Sequence, residues 1–396
     1  MDPRTAADLL KSWALEAGFD RAGVAELGPL EHGPALLSWL ERGDQAGMEW
    51  MARRVEERLD PSQIFPGARS VLCVALQYHP QEGEEPAGDL WPRVARYARG
   101  LDYHDVMGSR LKALAARVRE AFPGCETRPY IDTGPVLERE LAARSGLGAV
   151  GKNTLLLHRQ AGSWFLLGEL FLSLELAPDA PVSDLCGRCT RCLTACPTGA
   201  LAEPYRLDSN RCISYWTIEH RGTLPAAARE MVGDWVFGCD ICQEACPYNR
   251  KPAGADHPEM RLPPGRAELD LVRLLLLPRD EYVERFRGSP MKRAKLAGLQ
   301  RNAAVAMGNR GEERYVGPLA QVLAQGAQGE PLVRVHAAWA LGRIGTPEAL
   351  AALEAAWQTE EDEAVREEIR SAFAGPASAR LTLPARAPIL ERPSSQ

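Results

Sequence analysis

The stretch CGRCTRCLTACPTGA, from Cys186 to Ala200, decides how this chain must fold. Three cysteines recur at every third position, a fourth follows after four residues, and a proline comes directly after the last. A cubane iron–sulfur cluster needs four thiolates that converge on one small volume. The fourth cysteine of such a run typically binds the other cluster of a two-cluster fold. The stretch therefore predicts a second set of cysteines elsewhere in the chain.

That second set lies downstream, in GCDICQEACPYN, and its last cysteine is again followed by proline. The set lacks a first-position cysteine, which the stretch NRCISYW can supply across a longer loop. If the two sets exchange their fourth ligands, each cluster receives four thiolates. We therefore predict two 4Fe–4S clusters, one on Cys186, Cys189, Cys192 and Cys246, and the other on Cys212, Cys239, Cys242 and Cys196.

A zinc site and a disulfide framework are the alternatives to the clusters. Zinc ribbons use paired CxxC units, but they do not need the extra CxxC step or the CP endings. Disulfides suit short secreted chains, whereas this chain has 396 residues and no signal-peptide pattern at its start. Of the two remaining cysteines, Cys73 is predicted to be a buried small hydrophobe and Cys125 a loop thiol.

Length and composition set limits on the fold and on the class of function. A chain of 396 residues should divide into about two to four domains. The formal net charge of −6 argues against a chain devoted to nucleic acid. No apolar run approaches the roughly 18 residues of a membrane span, so we expect no association with a membrane. The reduced thiols that clusters require favour the cytoplasm.

The composition and the hydrophobic pattern of the sequence change three times along the chain, which predicts an α+β multidomain protein. Residues 1–175 alternate amphipathic helical stretches such as RTAADLLKSWALEAGF with strand-like runs such as RSVLCVALQY, which indicates an α/β domain. Residues 176–260 are predicted to form a cysteine-rich, ferredoxin-like module. Residues 261–380 are predicted to be helical, and the proline-rich tail, residues 381–396, to be disordered.

The helical region contains a weak repeat. Its units RNAAVAMGN, RVHAAWALGRIG and REEIRSAFAG begin at Arg301, Arg334 and Arg366, which lie 33 and 32 residues apart. The first two units end at asparagine or glycine, residues that commonly terminate a helix. Helical hairpins that bury their apolar faces only against neighbouring hairpins show this arrangement, so we predict such a stack. An ordinary helical bundle is the alternative.

One segment of the helical region departs from the acidic average of the chain. From Arg285 to Gly311 it contains seven Lys and Arg residues and no acidic residue. Contacts with a phosphate backbone require such local positive charge, whereas a solvated helix end is the alternative. We predict an apolar stripe that faces the core at Leu296, Leu299, Ala303 and Met307, and phosphate contacts from Lys292, Arg293, Lys295 and Arg301.

The N-terminal region holds the stretch YIDTGPVLERELAARSGLGAVGKN. Its segment GLGAVGKN nearly fits two nucleotide-binding motifs, but neither has the preceding strand that its phosphate contacts need. The segment DTGP predicts a helix start, with Asp132 or Thr133 as the N-cap and Pro135 in the first turn. The other role open to Asp132 is that of a carboxylic acid whose pKa is raised by burial at a cofactor, so that it donates a proton.

Because these features follow one another in this order along the chain, the chain closely resembles the epoxyqueuosine reductases. These are cobalamin-dependent enzymes that complete queuosine at the wobble position of tRNA. The resemblance extends from about Tyr97 to Asn309. The family usually has alanine where this chain has Gly134. The matching stretches are RYARGLDYH, DTGPVLERELAARSGLGAVGKNTLLL, GSWFLLGELFL, CGRCTRCLTACPTGAL, RCISYWTIEHRG, GCDICQEACPYN and SPMKRAKLAGLQRNAAVAMGN.

The resemblance implies an N-terminal cobalamin domain, a two-cluster ferredoxin domain and a C-terminal HEAT-like domain. It also implies that Asp132 is the proton donor and that the substrate is the anticodon stem–loop of a tRNA bearing epoxyqueuosine. We expect a monomer that receives electrons from an external donor such as a flavodoxin or a ferredoxin. The implied cobalamin pocket involves Tyr97, Asp132, Lys152, Asn153, Leu156, Leu167, Ile213, Ser214 and His220.

The chemistry that the resemblance implies fits these residue types. Removal of an epoxide oxygen to leave an alkene consumes two electrons and two protons, and clusters deliver electrons singly. The corrinoid carries the hard step, and Asp132 protonates the departing oxygen. A corrinoid reductive dehalogenase-like enzyme for a small substrate is one alternative, but it has no use for a basic helical domain. An iron–sulfur electron-transfer protein is another, and it needs only residues 176–260.

Overall fold

A computed structural model describes residues 1–79, 92–250, 252, 256–263 and 269–374, so the predicted disordered tail lies outside the described residues. Within them, no helix is long and apolar enough to cross a membrane. The strands are β1 (Arg21–Ala25), β2 (Ser70–Gln77), β3 (Arg93–Val94), β4 (Thr127–Tyr130), β5 (Ala149–Val150), β6 (Leu156–Leu157), β7 (Phe165–Leu172) and β8 (Trp235–Phe237). The α-helices are α1 (Pro3–Glu16), α2 (Gly33–Glu41), α3 (Val55–Leu59), α4 (Tyr103–Ala121), α5 (Glu138–Arg144), α6 (Arg191–Ala195), α7 (Ala226–Met231), α8 (Ile241–Glu244), α9 (Leu271–Leu275), α10 (Arg279–Arg285), α11 (Lys295–Arg310), α12 (Val316–Leu323), α13 (Pro331–Ile344), α14 (Pro347–Thr359) and α15 (Glu363–Ala374).

The N-terminal region is built on a four-stranded sheet in the order β1–β2–β7–β4. Every neighbouring pair in this sheet is antiparallel. The alternation of helical and strand-like segments predicts an α/β domain, a class in which sheets are mostly parallel. The antiparallel sheet does not fit that class, because the sequence pattern indicates where helices and strands lie but not the direction in which each strand enters the sheet. The overall α+β class describes this region better.

Strand β2 is buried along its whole length because helices cover both faces of the sheet. Successive side chains of a strand point to opposite faces. Leu72, Val74 and Leu76 pack in one core with residues of α1 and α4. Cys73 is buried on the other face, in a core that includes residues of α5, so its prediction as a small buried hydrophobe is confirmed.

The cysteine-rich region contains short helices and little sheet. Helices α6 and α8 each include a cysteine of one CxxC step and pack against each other. Buried polar side chains join this region to the start of β7. The side-chain amide of Asn249 donates to Ser163 Oγ and to the carbonyl of Gln243, both at 2.8 Å, and its oxygen accepts the Ser163 N–H at 2.7 Å. These bonds fix the second cysteine loop to the N-terminal region.

The C-terminal region is helical, as predicted. Helices α11, α13 and α15, which contain the three repeat units, pack side by side, and α12 and α14 pack against α13. Gly311 and Gly345 end α11 and α13 in the left-handed conformation that favours glycine. Within α11, the predicted apolar stripe faces the core: Leu299, Ala303 and Met307 are buried, and Leu296 packs against the same cluster.

Candidate active site

A cavity of about 1960 Å³ lies where the N-terminal, cysteine-rich and helical regions meet. This volume exceeds the roughly 300–1,000 Å³ of ordinary small-molecule pockets, so the cavity has room for a large cofactor together with part of a substrate. Most of the residues that the resemblance assigned to a cofactor pocket line it. They are Tyr97, Asp132, Asn153, Leu156, Leu167, Ile213 and Ser214.

Lys152 and His220, which were predicted to join this pocket, lie elsewhere in the described structure. The Lys152 ammonium donates to the carbonyl of Gly187 at 2.7 Å, which holds it against the first cysteine loop. His220 packs edge-on against the Trp216 ring, with Nε2 3.1 Å from the carbonyl oxygen of Thr223. Neither side chain lines the cavity.

The predicted cysteine sets can be compared through the electrostatic effect of one thiol on another. In the first group, burial raises the pKa of Cys192 and of Cys246. The thiolate of Cys186 raises both values further, Cys246 acts on Cys192, and Cys189 acts on Cys246. The group is Cys186, Cys189, Cys192 and Cys246, the set that spacing predicts for one cluster.

In the second group, burial raises the pKa of Cys239 to about 12, and the thiolates of Cys212 and Cys196 raise it further. Burial likewise raises the pKa of Cys242, with contributions from Cys239, Cys212 and Asp240 and a smaller one from Cys192 of the first group. The four thiols of this group all line the cavity, whereas those of the first group do not. Four soft sulfur donors are the ligand set of a 4Fe–4S cluster, whose irons replace the thiol protons. Among the described residues, no three side chains of the metal-binding types converge closely enough to hold a single metal ion.

Asp132 occupies a strained loop rather than a helix cap. Its φ angle is +55°, a left-handed conformation that is uncommon for residues other than glycine. Helix α5 begins only at Glu138, and its N-cap position is Leu137. The predicted cap at Asp132 or Thr133 is therefore wrong. The segment DTGP instead forms the loop that carries the Asp132 side chain into the cavity, where 58% of that side chain is exposed.

Two residues at the start of α4 contact the Asp132 carboxylate. The Tyr103 hydroxyl donates to Oδ2 at 2.9 Å, and His104 Nε2 lies 3.4 Å from the same oxygen. His104 Nδ1 is 2.9 Å from Asp102 Oδ1, so the imidazole lies between two carboxylates. Asp102, followed by Asp132, raises the pKa of His104 to about 9.

The charge on His104 has the opposite effect on Asp132. The imidazolium, with a further contribution from the Tyr103 hydroxyl, holds the pKa of Asp132 below its ordinary value. The predicted increase through burial is therefore wrong, because a hydrogen-bonded cation outweighs desolvation at this site. At neutral pH the proton of the pair resides on His104.

Gly134 is explained by the ring of Tyr130. A Cβ atom at position 134 would lie 2.4 Å from Cδ1 of that ring, well inside van der Waals contact. The alanine that the family usually carries therefore does not fit this loop unless the ring moves.

The basic segment divides into exposed and buried residues. Lys292 and Lys295 are exposed, line the cavity and form no ion pair within the described residues. Arg293 also lines the cavity, but it pairs with Glu219 at 2.8 Å and lies over the Trp50 ring. Trp50 itself is a cavity residue that the sequence pattern gave no reason to select.

Arg301 is the clear correction in this segment. It is only 1% exposed and donates to the carbonyls of Trp216, His220 and Gly222 at 2.8–2.9 Å. Its guanidinium joins α11 to the middle of the cysteine-rich region, so it is not available to a tRNA phosphate. Lys295 and Arg301 lie on the same helix but differ in exposure, because the partners that bury Arg301 are distant in sequence.

The resemblance places the segment from Asp102 to His104 at the cofactor pocket, but it does not predict the contacts of Tyr103 and His104 with Asp132. Both residues belong to the matching stretch RYARGLDYH. Glu138 and the fully buried Glu169 had no signal, because a single acidic residue in a helix start or a strand is unremarkable without its neighbours.

Comparisons with known proteins agree with this arrangement. Residues 58–133 match the family Epoxyqueuosine reductase QueG, DUF1730, residues 185–249 the 4Fe-4S double cluster binding domain, and residues 294–374 the HEAT repeats. The epoxyqueuosine reductase of Xanthomonas campestris is 40% identical, over 87% of this chain and 98% of that protein. That of Escherichia coli is 36% identical, over 87% of this chain and 90% of that protein.

The chain belongs to the epoxyqueuosine reductase family. The resemblance drawn from the sequence, the double 4Fe–4S cluster domain and the helical repeats are thereby confirmed.

Two solved structures of epoxyqueuosine reductases share the fold. One, bound to an epoxyqueuosine-modified stem–loop of tyrosine tRNA, has a TM-score of 0.85 and 31% identity, over 95% of this chain and 99% of that one. Another, from Bacillus subtilis, has a catalytic aspartate loop swung out of the active site; its TM-score is 0.86 and its identity 30%, over 93% of this chain and 98% of that one.

Proposed function

We propose that this protein reduces epoxyqueuosine to queuosine at the wobble position of tRNA, with cobalamin held in the cavity and electrons relayed through two 4Fe–4S clusters. The observation that carries the proposal is the cavity itself. Asp132 lines it together with the four thiols of the second cysteine group, Cys196, Cys212, Cys239 and Cys242. A proton donor and an electron source therefore open onto the same space.

The overall reaction balances with these parts. The epoxide loses its oxygen as water, takes up two electrons and two protons, and leaves a carbon–carbon double bond. When bound, cobalamin would supply the low-potential reducing centre at which the epoxide opens. The residues available to hold it from the N-terminal side are Tyr97, Asn153, Leu156 and Leu167, and from the cysteine-rich side Ile213 and Ser214.

Asp132 is the proposed proton donor to the oxygen of the opened epoxide. Its carboxylate is ionised at neutral pH, so the proton must reach it from a neighbour. His104 Nε2 is 3.4 Å from Asp132 Oδ2 and is the cation of the pair. A proton that passes from His104 through Asp132 to the substrate oxygen leaves His104 neutral, and solvent then restores its proton.

The order of the two clusters follows from exposure. The second group lines the cavity, whereas Cys189 of the first group is exposed at the surface. Arg188 and Arg191 are exposed beside Cys189. We infer that electrons enter at the first cluster from an acidic external carrier such as a flavodoxin or a ferredoxin, and leave from the second cluster toward the cavity. A cytoplasmic monomer is consistent with this arrangement.

The proposed tRNA contacts lie at the side of the cavity formed by the helical region. Lys292 and Lys295 are exposed there, and phosphate contacts from such residues position a nucleic acid without reading its bases. Trp50, whose ring lies next to Arg293, is 38% exposed, and an exposed aromatic ring can stack on an unpaired base of the anticodon loop.

An anaerobic turnover assay tests the proposed function. The reconstituted protein, loaded with cobalamin and a chemical reductant, is incubated with a tRNA stem–loop that carries epoxyqueuosine, and the nucleosides are analysed by mass spectrometry. We expect a loss of one oxygen mass from the modified nucleoside, only when cobalamin is present. An unchanged nucleoside from protein with about eight irons and one corrinoid per chain would contradict the proposal.

A further inference from the structure

Two buried or half-buried carboxyl groups lie directly behind the Asp132 loop and have no role in the reaction described above. Glu169 is in the middle of β7 and is fully buried. Glu138 is the first residue of α5. The two carboxyl groups are near enough for each to act on the pKa of the other. Two neighbouring carboxyl groups in a buried place are not both ionised, so one of them keeps its proton.

Burial identifies which carboxyl group keeps the proton. Neither oxygen of Glu169 has a hydrogen-bond donor within the described residues, and its surroundings on this face of the sheet include Phe171 and Leu141. A carboxylate in such a place lacks both water and donors, so its ionised form is strongly disfavoured. Burial raises the pKa of Glu169 well above its ordinary value, and the neighbouring Glu138 raises it further. Glu169 is therefore the neutral member of the pair.

Glu138 also forms a hydrogen bond with the backbone of the catalytic loop. Its Oε1 accepts the backbone N–H of Asp132 at 2.5 Å. Asp132 is the residue in the left-handed conformation, which costs about 1–3 kcal/mol and persists only where surrounding contacts hold it. A charged acceptor makes a stronger hydrogen bond than a neutral one. The ionised form of Glu138 is thus the one that best holds the loop.

We propose that Glu138 is a positioning residue for Asp132: its carboxylate holds the Asp132 backbone N–H and keeps the carboxyl group of Asp132 in the cavity, with the buried carboxyl group of Glu169 behind it. The proposal rests on the proposed function of Asp132 as proton donor. It gives a physical reason for the strained loop to stay inward while Glu138 is ionised and to be released when Glu138 takes up a proton.

The charged and titratable groups around the pair set the direction of its pH dependence. Burial, followed by the Asp132 charge, raises the pKa of Glu138 toward neutrality, and Arg139 of the same helix opposes this. Arg139 itself donates to Thr154. The other groups that face the pair are Cys73 on β2 and Tyr103 on α4, which are both neutral because their pKa values are raised. Below the raised pKa, Glu138 is neutral and its hold on the loop weakens; above that pKa the hold is complete.

Near-isosteric variants separate this role from a purely structural one. Glu169→Gln keeps a neutral polar side chain behind Glu138 and should retain most of the turnover. Glu138→Gln keeps an acceptor but loses its charge, so turnover should fall roughly tenfold, as expected when a charged hydrogen bond becomes neutral. Glu138→Gln should also abolish the rise of turnover with pH that accompanies ionisation of Glu138.

Glu140→Gln is the matched control. Glu140 is a buried glutamate of the same helix that accepts the Glu31 N–H instead, so its variant should keep the pH profile of the wild type.

Hydrogen exchange gives a readout that does not depend on catalysis. In the holoprotein at high pH, the peptide containing Asp132 should exchange faster in Glu138→Gln than in wild type measured at the same pH, and Glu169→Gln should resemble wild type. Equal exchange and equal pH profiles for Glu138→Gln and wild type would overturn the proposal. Absence of epoxyqueuosine reduction in every protein would count against the proposed function alone, because the exchange comparison would still decide the role of Glu138.

Discussion

The cysteine loops and the Asp132 loop both open onto the cavity, but they obtain their geometry in opposite ways. Cys186, Cys189 and Cys192 are brought together by the spacing of one short stretch. Asp132 is presented by residues from distant parts of the chain: Tyr103 and His104 contact its side chain, and Glu138 its backbone. Local sequence determines the geometry of the cysteine loops, whereas tertiary contacts determine the geometry of the Asp132 loop.

This difference predicts which property of the protein a substitution changes in each region. Replacing a cysteine ligand removes a cluster outright, because no other side chain takes its place. Replacing one of the side chains that hold the Asp132 loop should change the rate or the pH dependence of the reaction while the protein still folds. The predictions that follow test this contrast, beginning with the cysteines.

Cys196→Ser should have the largest effect. Because Cys196 lies with Cys212 and Cys239, its loss should damage the second cluster and leave the first able to assemble. We expect about four irons per chain instead of about eight, together with a complete loss of turnover. Iron analysis and turnover measure the two results. Cys125→Ser changes a thiol outside both groups and should retain about eight irons. The same iron content in both variants would remove Cys196 from the ligand set.

His104→Ala tests the tertiary side of the comparison. The wild-type rate should fall as pH rises through about 9, because His104 then loses the proton that it passes to Asp132. In the variant this decrease of the rate at high pH should disappear. Turnover at neutral pH should drop by roughly ten- to a hundredfold, at the low end of the effect of a positioned acid or base. The pH dependence of single-turnover rates is the measurement. If the variant shows the same decrease of the rate at high pH as the wild type, a group other than His104 causes that decrease.

The pair Lys292→Ala and Lys295→Ala tests the proposed tRNA contacts. Affinity for the stem–loop should fall at low salt, and the slope of log affinity against log salt should become shallower by up to about two units. Cluster and cobalamin content should not change. Exposed basic residues on α1 and α4 provide a matched control, Arg4→Ala with Lys112→Ala, which should leave the slope as in wild type. Coincident slopes for the two double variants would place the phosphate contacts elsewhere.

The smallest effect is expected from a matched pair of glycine variants. Gly134→Ala places a Cβ atom 2.4 Å from the Tyr130 ring, and this overpacking should destabilise the protein by about 1–3 kcal/mol. Gly108→Ala lies inside α4, where the new Cβ meets only Ile131 at 3.8 Å, and it should stabilise by about 0.5–1 kcal/mol. Thermal unfolding of the two variants measures the difference. Equal midpoints would mean that the Tyr130 ring moves aside freely.

The comparison also explains how far the sequence could be interpreted. Cysteine spacing predicted a double-cluster domain, and periodicity predicted the repeat helices and the buried side of α11. Strand direction was not predictable, because it depends on how β2 pairs with β7 across the fold. Arg301 and Lys295 lie in one basic segment, yet only the contacts of Arg301 with the cysteine-rich region bury it. The low pKa of Asp132 likewise required the position of His104, which the sequence places 28 residues away.

The central claim is that Asp132 is a proton donor held in place by its neighbours, and single turnover of Asp132→Asn tests it most directly. The Asp132 side chain caps no helix, so the amide should leave the fold, the iron content and the binding of cobalamin and tRNA unchanged. Conversion of epoxyqueuosine by the pre-reduced variant should be slower by roughly two to four orders of magnitude, as expected for loss of a positioned acid. A rate within a factor of about two of wild type, in protein with both clusters and cobalamin, would contradict the claim.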